Sequence, residues 1–292
     1  MPEPATPFSH QPFRLAVLMT CHNRRETTLR CLEALFAQEG LPPKFQMEVF
    51  LVDDGSTDGT GDAVRIRYPR VKVLQGDGNL YWAGGMRKAW AASLHINSNV
   101  ILMLNDDSIL VPDALQRLSE FSLRSKGIIV GATIDPTSHQ LSYGGLHQPQ
   151  ATRPLLLQHL KLALFPQRCA TMNGNVVWIP RHVVQHIGGL NPIFTHGLAD
   201  WEYGLRASKK GIPIWQAPGW VGHCYGNTTT RLWLVKDISL SKRLKAIQSP
   251  KGIPIREWLY YCLKFGGKYS MIEIVSPYFN LIKVHFKNIY KK

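Results

Sequence analysis

The chain has 292 residues, 45% of them hydrophobic, enough for one substantial core, or one core and a small appendage, and too many for a disordered chain. Its formal net charge is +14. Five cysteines, an odd number without CxxC spacing, argue against a disulfide framework and for a reducing compartment.

The first twelve residues, rich in proline and without an apolar h-region, read as a loose arm rather than a signal peptide. Arg14 to Thr20 is a strand candidate, followed by Cys21-His22-Asn23 and a helix from Arg24 to about Gln38, with Thr28, Leu32, Leu35 and Phe36 on one side. Met47 to Val52 is a second strand, ending in Asp53-Asp54-Gly55-Ser56-Thr57-Asp58. Val71 to Leu74 gives a short third strand, Gly84 to Leu94 a helix, and Asn99 to Leu104 a fourth strand. Gly61 to Arg70 carries little signal. Strand–helix alternation with short connections predicts right-handed crossovers and a largely parallel sheet. Ligands of such sheets sit outside the carboxyl ends of the strands, where Thr20, Asp53/Asp54 and Asp106/Asp107 converge.

The most informative segment is Leu102-Met103-Leu104-Asn105-Asp106-Asp107, an apolar run ending in adjacent carboxylates. Two acids without a basic neighbour repel each other, so Mn²⁺ or Mg²⁺ is their expected partner, its shell completed by substrate phosphates. Asp-Asp-Ser after a strand is also ordinary turn and N-cap chemistry, and the residues alone leave both readings open.

With Met19 to Arg24, Val52 to Asp58, Gly78-Asn79-Leu80 with Gly84-Gly85, Leu104 to Asp107, Asn173-Gly174-Asn175 and Ala199 to Arg206 taken in order, the chain resembles the family 2 glycosyltransferases from about residue 14 to about residue 230. The resemblance implies an α/β fold of the A-type glycosyltransferase class: a Rossmann-like, mostly parallel central sheet flanked by helices. Gly78 to Gly85 is most similar to bacterial rhamnosyltransferases of surface-polysaccharide synthesis. By this resemblance Asp107, aided by Asp106, holds the metal, and Asp106 also leans toward the donor. Thr20, Asn23, Asp53, Asp54, Asn79 and Gly84 fall in donor-binding positions, although Asp53 to Asp58 on its own is a plain polar turn. Asn105 departs from the acid more common at its position. His223 falls where some members complete the metal shell; a lone histidine beside Gly and aromatics is otherwise structural.

Asp200 matches the acid that deprotonates the acceptor hydroxyl, a role favoured by a raised pKa, with Trp201 and Glu202 as candidate surroundings. Read without the family, Asp200 is a helix N-cap and Glu202–Arg206 an i,i+4 pair. Asn173, Gly174, His196, Trp201 and Glu202 are placed in the sugar or acceptor pocket, and Trp82 either stacks on a sugar or packs. Trp178 reads as core. The implied reaction is inverting transfer of a sugar, with dTDP-rhamnose as the favoured donor, to a glycan or polyprenyl-linked oligosaccharide on the cytoplasmic face of the bacterial inner membrane.

From Arg231 to Lys292 there are thirteen Lys and Arg against three acids, interleaved with aromatics. Helices over Ile255 to Phe265 and Tyr278 to Tyr290 would be basic and aromatic, suited to a lipid surface, to packing on the catalytic part, or to pairing two copies as a homodimer. No stretch approaches eighteen clean apolar residues, so no membrane span is expected. No nucleic-acid-binding signature accompanies the charge. Residues 149–168, apolar on most sides from Leu155 to Phe165, read as a lid, an acceptor loop or part of a membrane face. The organisation expected is an arm (1–12), a catalytic domain (13–230) and a helical tail (231–292). Two alternatives of other kinds are a non-catalytic membrane-docked scaffold and a sugar-phosphate nucleotidyltransferase, although the Gly-rich basic N-terminal loop usual in the latter is missing.

Overall fold

A computed structural model describes residues 12–226, 231–235 and 238–289. The expected arm, apart from Pro12, and the last helix residue expected, Tyr290, lie outside them.

The elements begin β1 (Phe13–Cys21), α1 (Arg25–Phe36), β2 (Phe45–Asp53), α2 (Thr60–Arg67), β3 (Lys72–Gln75), α3 (Tyr81–Ser93) and β4 (Val100–Leu104). β1 pairs in parallel with both β2 and β4, and β2 with β3. Leu15 to Met19 and Val100 to Leu104 are buried throughout, as central parallel strands covered on both faces must be. The gap between β1 and β4 is the point where strand order reverses, and the crevice outside it is where ligands of such sheets bind. The uninformative Gly61 to Arg70 is largely α2, which shows one buried apolar side chain, Val64, and exposes Ile66. That is too little for a readable stripe.

Next come β5 (Ile109–Leu110), α4 (Ala114–Arg124), β6 (Ile128–Val130), β7 (Thr133–Ile134), β8 (Leu141–Tyr143), β9 (Gly145–His147), β10 (Gln158–His159), β11 (Gln167–Arg168), β12 (Thr171–Met172), β13 (Val176–Pro180), α5 (Arg181–Ile187), α6 (Ala199–Lys209), β14 (Ile214–Gln216) and β15 (Gly222–His223). The main sheet runs β11-β14-β6-β13-β4-β1-β2-β3. β13 lies antiparallel between β4 and β6, so the parallel half ends at β4 and the sheet as a whole is mixed. Trp178 of β13 is fully buried, as its apolar run implies. Two small sheets, β10-β9-β12 and β5-β15-β7-β8, complete the fold.

The tail forms α7 (Leu240–Gln248), α8 (Ile255–Phe265) and α9 (Ser270–Ile289). It packs onto the α/β body: Tyr261 and Phe265 join Ala83, Phe194, Ala199 and Leu205 in one buried cluster. α9 starts eight residues before the expected Tyr278, because Pro277 lies inside it rather than ahead of it. A proline has no N–H to give to the carbonyl four residues back. That carbonyl, Glu273 O, accepts from the indole Nε1 of Trp258 on α8 instead (3.0 Å). Among the described residues no helix is long and apolar enough to cross a membrane.

Candidate active site

Three loops at the carboxyl ends of β1, β2 and β4 form the side of the cleft where the sequence places the donor. After β1, Asn23 adopts a left-handed backbone (φ 51°) and its Oδ1 accepts from Thr57 N (2.7 Å), while its own N–H donates to Ser56 Oγ (2.9 Å). The His22 ring donates to Asp54 O (2.6 Å). Asp53, buried, accepts from Ser56 N (3.0 Å). Asp54, also buried, accepts from Gly78 N (2.9 Å), Leu80 N (3.3 Å) and Tyr81 N (2.9 Å). This one carboxylate therefore fixes the whole turn into α3 and sits at that helix's positive end. Asn79 is exposed and bonds back to Asp77. Thr20 faces Gly85 so closely that a Cβ there would lie 2.1 Å from Thr20 Oγ1. Gly84 meets Leu80 in the same way, less tightly.

The acid pair does have a basic neighbour, which corrects the expectation drawn from the sequence. Arg24 Nη1 donates to Asp107 Oδ2 (2.7 Å) and Asp106 Oδ1 (3.0 Å). It stands 82 residues from Asp106 in sequence, so no local pattern reveals the pairing. Asp106 is buried and also accepts from Thr28 Oγ1 (3.3 Å). Burial pushes its carboxyl up to about 7 against the opposing pull of Arg24, while Asp106 in turn raises the Arg24 guanidinium. The Cys224 thiol donates to Asp107 Oδ1 (3.5 Å); burial, then the Asp107 charge, pushes that thiol up to about 12, so it remains protonated. His223 turns the other way, packing on Trp220 with the two rings tilted by 59° (centroids 4.8 Å) and with a buried, unpartnered Nδ1. Neighbouring residues of an extended segment point to opposite sides, so Cys224 rather than His223 faces the acid pair. Among the described residues no three His, Cys, Asp or Glu side chains are grouped as a metal shell.

The side where the sequence places the acceptor is built around Asp200, at the start of α6. The residue before it but one, Leu198, has φ 64°, a conformation that costs a non-glycine residue about 1–2 kcal/mol. Asp200 Oδ2 accepts from Gly174 N and Oδ1 from Trp201 N (both 2.9 Å). Burial nevertheless pushes its carboxyl up to about 6. Glu202 contributes nothing to that rise. It is fully buried on the opposite side of α6, held by Arg206 Nε (3.0 Å), and Arg206 also donates to Ile187 O and Gly189 O. The i,i+4 ion-pair reading of Glu202 is the one realised in the fold.

Trp82 joins the two sides. Its Nε1 donates to Asn105 Oδ1 (2.7 Å), and its ring covers Gly174 so closely that a Cβ there would clash at 2.3 Å. Asn105, next to the acid pair, is thereby linked through Trp82 and Gly174 to Asp200. The Nδ1 of His196 accepts from Trp82 N (3.5 Å); burial, then Lys251 and Arg24, push this imidazole down to about 4, so it is neutral. Asn173 accepts from the His159 ring (2.7 Å), which brings residues 149–168 to the pocket edge. Arg24, His159, Cys224 and Tyr261, none of them singled out from the sequence as site residues, line or back the site. For Arg24 the only local signal was a cationic side chain directly after the first strand-end loop.

Residues 16–188 match the sequence profile described as glycosyl transferase family 2. The chain belongs to that family. It is a glycosyltransferase, using a nucleotide-sugar donor. Among solved structures, the transferase is similar to the mannosyltransferase PcManGT from Pyrobaculum calidifontis in complex with GDP-Man and Mn²⁺, at 14% identity and TM-score 0.54, covering 97% of this chain and 89% of that one. That likeness is one of fold, the A-type glycosyltransferase architecture. No curated protein matches the transferase.

Proposed function

We propose that the transferase moves a sugar, rhamnose from dTDP-rhamnose, to a hydroxyl of a growing lipid-linked glycan of a bacterial surface polysaccharide, inverting the anomeric centre. The transferase would work as a peripheral protein at the inner face of the inner membrane. The observation that carries the reading is the continuous contact path Asp106–Asn105–Trp82–Gly174–Asp200, which sets an acid pair of one buried and one partly exposed carboxylate and a further, raised-pKa carboxylate on the two sides of one aromatic wall. The rhamnose assignment rests on the Gly78 to Gly85 segment alone.

The donor set of the acid pair fits a divalent cation. Asp106 and Asp107 are hard oxygen donors, and a guanidinium already stands against both as a cation would. Asp107, with Asp106, would hold Mn²⁺ or Mg²⁺, and when bound the ion would offset charge growing on the departing diphosphate. His223 faces away, so substrate phosphates and water would supply the other ligands. The half-exposed Arg24 side chain is free to turn from the carboxylates to the diphosphate. Asp200 acts as base: above about pH 6 it is ionised, its two oxygens are oriented by backbone N–H groups, and it takes the proton of the acceptor hydroxyl. Neutral His196 adds no charge beside it. Trp82 separates the base from the phosphates and excludes water.

Calorimetric titration of UDP, dTDP, GDP and CDP, with Mn²⁺, Mg²⁺ or EDTA, on wild type and Asp107→Asn tests this. Metal-dependent binding of dTDP, lost in the variant, is expected. Binding of GDP alone would replace rhamnose by a sugar carried on GDP, the donor type in the Pyrobaculum calidifontis mannosyltransferase complex. No binding of any diphosphate would refute the enzyme reading and favour the scaffold.

A further inference from the structure

The three tail helices each turn one face inward and leave an aliphatic stripe outside. α9 buries Ser270, Ile274 and Leu281, and opposite them exposes Ile272, Val275, Phe279, Ile282 and Phe286, 45–66% open to solvent. α8 exposes Ile255, Leu259 and Leu263, one turn apart, and α7 exposes Leu240 and Leu244. Hydrogen bonds tie the three together: Gln248 to the Tyr278 hydroxyl, that hydroxyl to Ile253 O, and Trp258 to Glu273 O. An apolar face of this extent on one small structural unit marks a contact surface.

Charge decides what covers it. Every exposed charged residue from Leu240 to Phe286 is Lys or Arg, and four of them directly follow stripe residues: Lys245 after Leu244, Arg256 after Ile255, Lys264 after Leu263 and Lys283 after Ile282. The segment has two acids, Glu257, which is buried, and Glu273, which is half-buried. The 3-4-3-4 spacing on α9 would suit a helical partner, but a second copy would set cations against cations with no exposed acid to answer them. Anionic headgroups supply that complement, and aliphatic and aromatic side chains flanked by Lys and Arg are the composition of interfacial helices. We propose that α7, α8 and α9 form a docking surface for an anionic lipid bilayer, lying in its interface without spanning it.

The inner face of α8 backs the loop that carries Asp200. Glu257 accepts from Thr195 N (3.2 Å), and Tyr261 and Phe265 pack on Phe194 and Ala199. Docking would thus bring the acceptor side of the cleft beside the lipid surface. That orientation rests on the reaction proposed above, whereas the docking itself does not.

The test is co-sedimentation of the full chain with phosphatidylcholine vesicles, with or without phosphatidylglycerol, for wild type and for the doubly substituted Leu263→Glu, Phe279→Glu chain. Both positions are exposed, on the outer faces of their helices, and neither belongs to the proposed catalytic or binding groups. Nucleotide binding is measured on the same preparations, so loss of the reaction reading and loss of docking are read separately, and retained nucleotide binding shows that the variant is folded. The expected result is binding to anionic vesicles, weakened about tenfold or more by the double substitution, by omitting the anionic lipid, or by high salt. Equal vesicle binding by the variant would overturn the proposal. So would no vesicle binding together with a wild-type dimer, seen by light scattering, that the variant abolishes; that pair of results would assign the face to a second copy.

Discussion

Replacing Asp200, the proposed base, by Asn separates the electrostatic strain of this carboxylate from its chemistry. The distance between the usual carboxyl value of 3.8 and about 6 corresponds to about 3 kcal/mol of cost for holding the ionised group in this site. The sign follows from proton binding. Between pH 4 and 6 the folded chain holds more protons at this position than the unfolded one, so its stability falls as pH rises through that window. The cost is absent below the lower value and complete above the upper one. Asn removes the charge but sets an NH₂ against one of the two donors, Gly174 N or Trp201 N, at about 1–2 kcal/mol. At pH 7.5 Asp200→Asn should therefore be more stable than wild type by about 1–2 kcal/mol, or roughly 2–6 °C in Tm. At pH 4.5, where the wild-type carboxyl is already protonated, the difference should vanish or reverse. Turnover should fall about 10²–10⁴-fold at neutral pH. Thermal melts at the two pH values, with a turnover assay at neutral pH, check both halves. A variant whose relative stability does not change with pH would refute the burial argument, and one with near-normal turnover would refute the base assignment.

Gly85→Ala should cost about 1–3 kcal/mol by forcing α3 away from Thr20 and should weaken donor binding in calorimetry, whereas Gly84→Ala, facing a looser contact, should cost less. Glu202→Gln should lower stability by about 2–3 kcal/mol in urea titration, below the usual 3–5 for breaking a buried pair, because Arg206 keeps two carbonyl acceptors. Tyr261→Phe should be neutral or slightly stabilising in melts, because its buried hydroxyl has no hydrogen-bond partner; a loss above about 1 kcal/mol would reveal a contact to that hydroxyl.

The sheet was largely readable because its central strands are apolar runs closed by acids, as at Leu104-Asn105-Asp106 and Val52-Asp53-Asp54. α8 matched its expected limits, since its amphipathic pattern stops at Gly266. The roles of the acids were less readable. Asp54 spends both oxygens on N–H groups 24 to 27 residues away, and Arg24 reaches Asp106 across 82; such pairings depend on how strand ends converge, which periodicity does not encode. His223 and Cys224 are adjacent, and the register of a two-residue strand decides which of them faces the acid pair. The mixed half of the sheet was hidden for a similar reason, because β13 reads the same in either direction. The start of α9 was misplaced because a proline normally stops a helix.

Pro277 does more than interrupt the hydrogen-bond ladder of α9. Because it leaves Glu273 O free, the indole of Trp258 has an acceptor on the neighbouring helix, and a break in one hydrogen-bond ladder becomes a rivet between two helices. Restoring the ladder with Pro277→Ala would give that carbonyl its usual N–H and set it in competition with Trp258. A substitution that perfects α9 on its own would thus loosen it from α8, and with α8 the support beneath the loop that presents Asp200.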